Sequence, residues 1–285
     1  MGALRNRMIR EMQLRRFVPG TQEAYVHAVE GLAVYYGRSP DGIGSDEVKD
    51  YVHYLLEERR LKWSTVNLAV SGIRFFYSKV LGRDDVGRAI PPRRTPKRLP
   101  EILSAEELGR LFEAAENPKH RAMLMTAYAA GLRVSELVRL RIADIDSSRM
   151  MIRVRSGKRE KDRYTILCGR LLDELRGYWR VVRTTEWLFP GARADRPITR
   201  STAGSIYRRA RDRAGITKHG GIHTLRHCFA THLLEAGVDI RTIQVLMGHS
   251  SIRTTIGYFQ MTRKQLDATP SLLDLLDIPK TWPSR

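Results

Sequence analysis

The sequence predicts a mainly α-helical protein with one small β-sheet, arranged as a helical domain followed by a larger α+β domain. Apolar residues recur at three- and four-residue spacing along most of the 285 residues, as in amphipathic helices. Residues 150–154 and 164–167 flank a polar turn and predict the clearest β-hairpin. A basic, proline-rich stretch divides the chain. The predicted parts are therefore a helical domain at residues 1–90, a linker at residues 91–100 and an α+β domain at residues 101–285.

Four helices are predicted in the first domain, separated from one another by glycine, proline or serine. They cover residues 6–16, 21–36, 45–59 and 64–81. Basic and aromatic side chains stand on or beside these helices, and such side chains contact phosphates and pack on sugars or bases. The candidate DNA-contacting residues of this domain are Arg15, Arg16, Lys62, Trp63 and Arg74. A basic face that is merely solvated is the alternative.

The linker reads PPRRTPKRLP and contains too much proline for regular structure. Its positive side chains suit a path along a phosphate backbone. Arg93, Arg94 and Lys97 are therefore further candidate DNA contacts.

The second domain opens with a capping box, because the Ser104 hydroxyl can accept from a free backbone amide while Glu107 reaches back to Ser104. Helical patterns follow on both sides of the hairpin. The predicted helices cover residues 119–130, 133–140, 170–183, 199–214, 224–236, 240–247 and 252–259. Near the C-terminus, residues 269–279 form an apolar segment bounded by prolines and predict one more short helix.

Composition indicates a polyanionic partner. The chain has 50 Lys and Arg against 31 Asp and Glu, a net charge of +19. This charge favours nucleic acid as the partner. An anionic membrane, or no polyanionic partner at all, is the alternative. Cys168 and Cys228 match no CxxC pattern, which argues against a disulfide framework and a four-cysteine zinc site. A reducing cytoplasm is therefore expected, and no apolar stretch reaches the ~20 residues that cross a bilayer.

Two segments carry arginines that could bind a phosphate. Arg133 follows a glycine that ends one helix, and Glu136 can steady its guanidinium. His223 and Arg226 stand three residues apart and so share one helical face, where they could grip a single phosphate. Each pattern taken alone is equally typical of a solvated or structural residue.

Zinc is a rival interpretation of the histidines, because His223 and His227 are four residues apart and share a helical face. The spacing of five to His232 places it off that face, and Arg226 would repel a cation. The sequence therefore predicts no metal site here.

Three further residues complete a chemical set. His249 stands in a turn, Tyr258 follows in the next predicted helix, and Lys158 stands in the hairpin turn, where Lys161 is its nearest competitor. Two arginines, two histidines, a lysine and a hydroxyl are what a metal-free phosphodiester transesterification requires. Tyr258 is the candidate nucleophile and Lys158 the candidate general acid, with a pKa lowered by other cations. No cofactor is expected.

Several segments together resemble the tyrosine recombinase (phage integrase) family, most closely its compact Xer-like members. They are GLRVSEL, SGKREKDR, HTLRHCFATHLLEAG, LMGHSS and TTIGY. The first domain resembles the family's helical, SAM-like core-binding domain, and residues 101–285 resemble its catalytic domain. The resemblance makes Arg133, Lys158, His223, Arg226 and His249 the catalytic set around the nucleophile Tyr258, with Glu136 in a supporting role.

The resemblance further implies a site-specific recombinase or integrase that acts on double-stranded DNA through a 3′-phosphotyrosyl intermediate, without metal or ATP. It implies a dimer on each DNA site and a tetramer on two sites, with residues 269–279 docked on a neighbouring protomer or on their own domain. A type IB topoisomerase-like enzyme and a non-catalytic DNA-binding regulator are the alternatives. A serine recombinase or an acidic-triad transposase is less favoured, because no carboxylate cluster stands out.

Overall fold

The computed structural model of the protein describes residues 2–89, 100–155, 162–249, 251 and 255. Two units, Met1–Arg98 and Leu99–Arg285, divide the chain. Three predicted segments lie outside the described residues: the linker apart from Pro100, the helix at residues 252–259 apart from Thr255, and the C-terminal segment at residues 269–279. Among the described helices, none combines the length and the apolar character needed to cross a membrane.

The first unit is all helical in its described part. Its elements are α1 (Gly2–Leu14), α2 (Pro19–Tyr36), a 3₁₀ turn (Pro40–Gly42), α3 (Ser45–Glu57), α4 (Trp63–Phe75), a π-helical turn (Phe76–Leu81) and α5 (Asp84–Ala89). The four predicted helices correspond to α1 to α4, and the π-helical turn continues the last of them to Leu81. Helix α5 was not predicted, because six residues are too few to show a period.

A close approach of α2 to α4 organises the core of this unit. A Cβ atom added to Gly72 on α4 would lie 2.9 Å from the Cα atom of Tyr25 on α2, so only glycine fits there. Around this contact, Met12, Leu32 and Ile73 are fully buried. The first unit therefore has a core of its own.

The second unit combines helices with one sheet. Its elements are α6 (Ala105–Glu113), α7 (Pro118–Ala129), α8 (Val134–Leu137), a 3₁₀ turn (Ile142–Asp144), β1 (Ile145–Asp146), β2 (Met151–Val154), β3 (Arg163–Ile166), α9 (Gly169–Val182), α10 (Arg200–Arg213), α11 (His223–Glu235) and α12 (Ile240–Met247). The predicted capping box is present, since the Ser104 hydroxyl accepts from the Glu107 amide at 3.2 Å. Mainly helical structure with one small sheet is the predicted fold class, and it is confirmed.

The predicted helix at residues 133–140 is shorter in the structure, where α8 spans only Val134–Leu137. After it, the chain pairs with a distant segment: Leu188 N donates to Leu140 O at 2.8 Å, and Ile142 N donates to Glu186 O at 3.0 Å. These tertiary hydrogen bonds replace the helical ones that a longer α8 would make.

The sheet is antiparallel in the order β1-β2-β3. Its hairpin pairs Ile152 with Thr165 and Val154 with Arg163. Ile152, Val154 and Thr165 are buried, so the alternation of the strands also turns Arg163 toward the interior. Strand β1 was not predicted, because two residues cannot show alternation.

Helices α7 and α11 lie at the centre of the second unit. Six consecutive residues of α7, from Ala122 to Ala127, are buried, as expected for a helix surrounded by protein. On α11, the buried Cys228 thiol accepts a hydrogen bond from Leu103 N at 3.3 Å. Burial raises the pKa of this thiol to about 11, so Cys228 stays protonated at neutral pH.

Candidate active site

The C-terminal end of α12 is surrounded by arginines. The last carbonyl groups of a helix have no partner inside the helix and carry partial negative charge, which guanidinium groups stabilise. Each of three consecutive carbonyl oxygens accepts from a different arginine: Leu246 O from Arg163 Nε at 3.1 Å, Met247 O from Arg226 Nη2 at 2.7 Å and Gly248 O from Arg133 Nη2 at 2.9 Å. Arg133, the residue before α8, therefore meets residues of β3 and α11 at one helix end.

Two glycines allow the arginines to pack closely at the C-terminal end of α12. Gly248 ends α12 with a φ of +61°, and a Cβ atom there would lie 2.7 Å from Arg163 Cδ. Gly131 follows α7 with a φ of +59°, and a Cβ atom there would lie 2.3 Å from the Phe229 ring. The carbonyl oxygen of Gly131 accepts a hydrogen bond from Arg226 Nη1. Left-handed backbone and close packing both require glycine at these positions.

Glu136 is the carboxylate at the centre of the arginine cluster. Its two oxygens accept from Arg133 N at 2.8 Å, from Arg133 Nη1 at 2.8 Å and from both terminal nitrogens of Arg163 at 2.8 Å each. Arg226 Nη1 lies 3.9 Å away. Burial raises the pKa of Glu136, but the hydrogen bonds and charges of Arg163 and Arg133 outweigh it and lower the pKa to about 2. Glu136 is therefore ionised at neutral pH and stays ionised in mildly acidic solution.

Arg226 lies behind Arg133. Arg226 is 1% exposed, whereas the Arg133 side chain keeps 32% of its surface in solvent. An anion approaching from solvent therefore meets Arg133 before Arg226.

Arg226 Nη2 lies 3.0 Å from His249 Nε2. Since a guanidinium can only donate, Nε2 must accept, and the ring proton of neutral His249 is then on Nδ1. That proton can be donated to the Thr255 hydroxyl, 2.9 Å away. Burial, then the charges of Arg226, Arg133 and Arg163, lower the pKa of His249 to about 4, so the ring is neutral at physiological pH.

His223 begins α11 and lies next to His227, with ring centroids 5.0 Å apart in an edge-to-face arrangement. His223 keeps an exposed face, yet desolvation of its ring, followed by the charges of Arg226 and Arg133, lowers its pKa. Burial, then His223 and Arg226, lower the pKa of His227 to about 4. Both rings are therefore mostly neutral at pH 7.

His232 lies apart from the other two histidines and contacts Tyr128, whose hydroxyl is 2.9 Å from His232 Nδ1. No group of three or more His, Cys, Asp or Glu residues able to hold a metal ion occurs in the described part of the chain. The disfavoured zinc interpretation therefore gains no support from these three histidines.

Lys158, its competitor Lys161 and Tyr258 lie outside the described residues. The base of the hairpin that carries the two lysines is described. Arg153 Nη2 donates to Asp162 at 2.7 Å across the two strands, and Arg155 Nε donates to the buried Asp144 at 2.7 Å. These ion pairs hold Arg155 and Asp162, the described residues that flank residues 156–161.

The candidate DNA contacts of the first unit fall into two groups. Arg74 lines an open groove of about 390 Å³ together with Phe75 at the C-terminal end of α4, and Arg15 lies over the Phe75 ring, 5.9 Å from its centroid. Lys62 and Trp63 stand at the opposite end of α4.

Arg16 follows α1 with a φ of +58°. Arg93, Arg94 and Lys97 lie outside the described residues.

Sequence reasoning did not single out Arg163. It stands in a run of charged residues whose pattern is that of a solvated turn, and only the strand pairing turns its side chain inward. The available signal was the alternation of β3, in which Arg163 shares the inner face with Thr165.

Comparison with known proteins places this chain in a family. Residues 101–265 match the phage integrase family, and residues 4–85 match the phage integrase N-terminal SAM-like domain. The chain is 44% identical to a candidate integrase/recombinase of Sinorhizobium fredii, over 99% of this chain and 92% of the relative. It is 36% identical to tyrosine recombinase XerA of Thermococcus onnurineus, over 84% of this chain and 86% of the relative.

Solved structures agree with this assignment. The crystal structure of XerA recombinase matches with a TM-score of 0.56 and 31% identity, over 94% of this chain and 96% of that one. A lambda integrase dimer bound to a core site shares the fold, with a TM-score of 0.71 and 18% identity over 89% of this chain and 96% of that one. The chain belongs to the phage integrase family of tyrosine recombinases and is a site-specific DNA recombinase.

Proposed function

We propose that this recombinase cuts DNA by attack of the Tyr258 hydroxyl on the scissile phosphodiester. The new bond joins Tyr258 to the 3′-phosphate, and the bond to the 5′-oxygen of the next nucleotide breaks, so a free 5′-hydroxyl is released. The reverse attack by a 5′-hydroxyl rejoins a strand and frees Tyr258. One observation carries the proposal: Arg133, Arg226, His223 and His249 converge near the end of α12, which leads toward Tyr258 in the sequence.

Charge neutralisation is the main task of this cluster. Arg133, Arg163 and Arg226 with Glu136 carry a formal charge of +2 at neutral pH, in a partly buried setting where electrostatic effects are stronger than in water. Arg133 is exposed enough to contact a nonbridging oxygen directly. Arg226 is covered, so a direct contact with phosphate requires the His249 ring to leave Arg226 Nη2.

The contact between His249 and Thr255 supports the assignment of Tyr258. Thr255 is buried, its hydroxyl lies 2.9 Å from His249 Nδ1, and Tyr258 is three residues further along the chain. Because the hydroxyl can accept or donate, Thr255 supports either tautomer of His249. His249 can therefore accept from Arg226 before DNA binds and donate to a phosphate oxygen afterwards.

Lys158 is proposed as the general acid that protonates the leaving 5′-oxygen. The ion pairs of Arg153 with Asp162 and of Arg155 with Asp144 fix the described residues on either side of Lys158 in the sequence. The phosphotyrosyl bond keeps the free energy of the phosphodiester, so the exchange needs no ATP. The arginines and histidines supply the charge stabilisation that a metal ion supplies in other phosphoryl-transfer enzymes.

We also propose the parts played by the rest of the chain. Residues 1–90 act as a core-binding domain, residues 91–100 as a linker along the DNA backbone, and residues 101–285 as the catalytic domain with its C-terminal tail. The basic residues of the first unit and linker contact duplex DNA, the enzyme forms a dimer on each site and a tetramer on two sites, and it works in the cytoplasm. Solved relatives include a lambda integrase dimer on a core site and a lambda integrase tetramer on a Holliday junction.

The test is covalent trapping. Sheared host DNA is incubated with the enzyme in EDTA, and fragments that stay bound in detergent are sequenced to identify the site. A duplex of that site with a nick near the scissile phosphate should then yield a covalent adduct. Tyr258→Phe should bind the duplex but form no adduct, whereas Tyr164→Phe, at an exposed tyrosine of β3, should form it at the normal rate. An adduct with Tyr258→Phe would overturn the proposal.

The role of Lys158 has a separate test. Lys158→Ala should lose cleavage of the normal duplex and regain it on a duplex with sulfur in place of the bridging 5′-oxygen, because a thiolate leaves without a proton. Lys161→Ala is the matched control and should cleave both duplexes. Rescue of Lys161→Ala instead would move the assignment to Lys161.

A further inference from the structure

Arg163 is the one arginine of the cluster that neither the catalytic set nor the DNA-contact set includes. Its side chain is 12% exposed, so it is poorly placed to meet DNA. Its terminal nitrogens each donate to a different oxygen of Glu136 at 2.8 Å, the bidentate geometry that gives the strongest carboxylate pairing. Its Nε donates to Leu246 O at 3.1 Å.

These three hydrogen bonds join parts of the chain that are far apart in sequence. Arg163 is the first residue of β3, Glu136 belongs to α8 and holds Arg133, and Leu246 belongs to the last turn of α12, just before His249. The Arg163 side chain also packs against Gly248, in the space that the Cβ atom of any other residue at position 248 would need. The hairpin that carries Lys158 and the turn that presents His249 thus share one guanidinium.

We propose that Arg163 is a positioning residue for strand cleavage, which orients Arg133 through Glu136 and holds the turn before His249 through Leu246 and Gly248. This proposal rests on the proposed function. Lysine cannot replace Arg163 fully, because one ammonium cannot span both carboxylate oxygens in a plane while also reaching Leu246 O.

The charge environment of Glu136 provides a signature of this role. Arg133 just before α8, Arg163 from β3 and Arg226 from α11 face its carboxylate. His223 and His249 are the nearby titratable groups. Without Arg163, burial raises the pKa of Glu136 against fewer opposing charges and hydrogen bonds, so this pKa rises from about 2 toward its ordinary value of 4.5. Cleavage should then fall on acidification in a range where the wild type is unaffected by Glu136.

The experiment measures single-turnover adduct formation on the nicked duplex from pH 4.5 to pH 8, with duplex binding measured in parallel. Arg163→Gln should bind DNA normally and cleave about 100-fold more slowly, a loss typical of misplaced catalytic groups. Its rate should also gain an acid limb. Arg163→Lys should restore part of the rate. Arg193→Gln, which breaks the exposed ion pair with Asp195 elsewhere in the second unit, should cleave like the wild type.

A double variant separates the possible origins of the acid limb. Glu136→Gln combined with Arg163→Gln removes the buried charge left behind by the single substitution, and so it also serves if Arg163→Gln does not fold. The double variant should show no larger acid limb than the wild type; a larger limb that persists would belong to His223 or His249 and overturn the link through Glu136. Wild-type rate and pH profile in Arg163→Gln would overturn the positioning role, whereas no adduct with wild-type enzyme on the sequenced site would overturn the proposed function instead.

Discussion

Substitution of Gly131 by alanine should lower the free energy of unfolding in two separable ways, through backbone strain and through steric overlap. Gly131→Ala must keep a φ of +59° and place a Cβ atom 2.3 Å from the Phe229 ring. Gly215→Ala must keep a φ of +66°, but nothing lies within 4 Å of its added Cβ atom. Both glycines belong to the second unit, so the pair separates backbone strain from steric overlap.

The magnitudes follow from these two costs. Left-handed backbone costs alanine about 1–2 kcal/mol, and the reduced freedom of the unfolded chain returns about 0.4–1 kcal/mol, so Gly215→Ala should lose about 1 kcal/mol. Phe229 is buried and must shift to admit a methyl group, and overpacking of this kind costs a further ~1–3 kcal/mol. Gly131→Ala should therefore lose about 2–4 kcal/mol.

Urea unfolding of the full chain measures both losses. Three of the four tryptophans, Trp179, Trp187 and Trp282, follow residue 99, so fluorescence reports mainly on the second unit. Gly131→Ala should also slow cleavage more than Gly215→Ala does, because the Gly131 carbonyl oxygen holds Arg226. Equal losses of unfolding free energy in the two variants would show that Phe229 moves aside at no cost, and would refute the steric argument.

Three further predictions test the Ser104 helix cap, the tautomer of His249 and the partly buried His227. Ser104→Ala should lower the free energy of unfolding by about 1 kcal/mol through loss of the capping hydrogen bond, with cleavage per folded molecule unchanged; an unchanged urea midpoint would contradict it. Thr255→Val should slow cleavage more than Thr255→Ser, which keeps a hydroxyl for His249 Nδ1; equal rates in the nicked-duplex assay would remove that hydrogen bond from the mechanism. His227 has a folded pKa of about 4 against 6.5 in the unfolded chain, so it contributes stability above pH 6.5 that is lost as pH falls toward 4. His227→Gln should therefore show a smaller drop in urea midpoint from pH 7 to pH 5 than the wild type, and an equal drop would contradict the lowered pKa.

Much of the fold could be predicted because its determinants are local. The three- and four-residue periods locate most of the described helices to within a few residues, and alternation around a polar turn locates β2 and β3. Ser104 and Glu107 form their cap from residues three apart, so no distant contact is needed. Elements that were missed, α5 and β1, are too short to show a period.

The residues of the candidate site were also indicated by the sequence, since their types and order match a family in which chemistry constrains them. The pairing of Glu136 with Arg133 spans three residues and is a local property. Lys158 and Tyr258 stay predictions from the sequence.

Only the tertiary structure could assign Arg163, the burial of Arg226 and the tautomer of His249. Arg163 meets Glu136 and Leu246 across separations of 27 and 83 residues, and Arg226 meets Met247 and His249 across 21 and 23. Which face an arginine presents, and which ring nitrogen carries a proton, depend on partners brought by other elements. Sequence therefore determined which groups take part, and packing decided how they are held, because direction and burial are properties of contacts between distant residues.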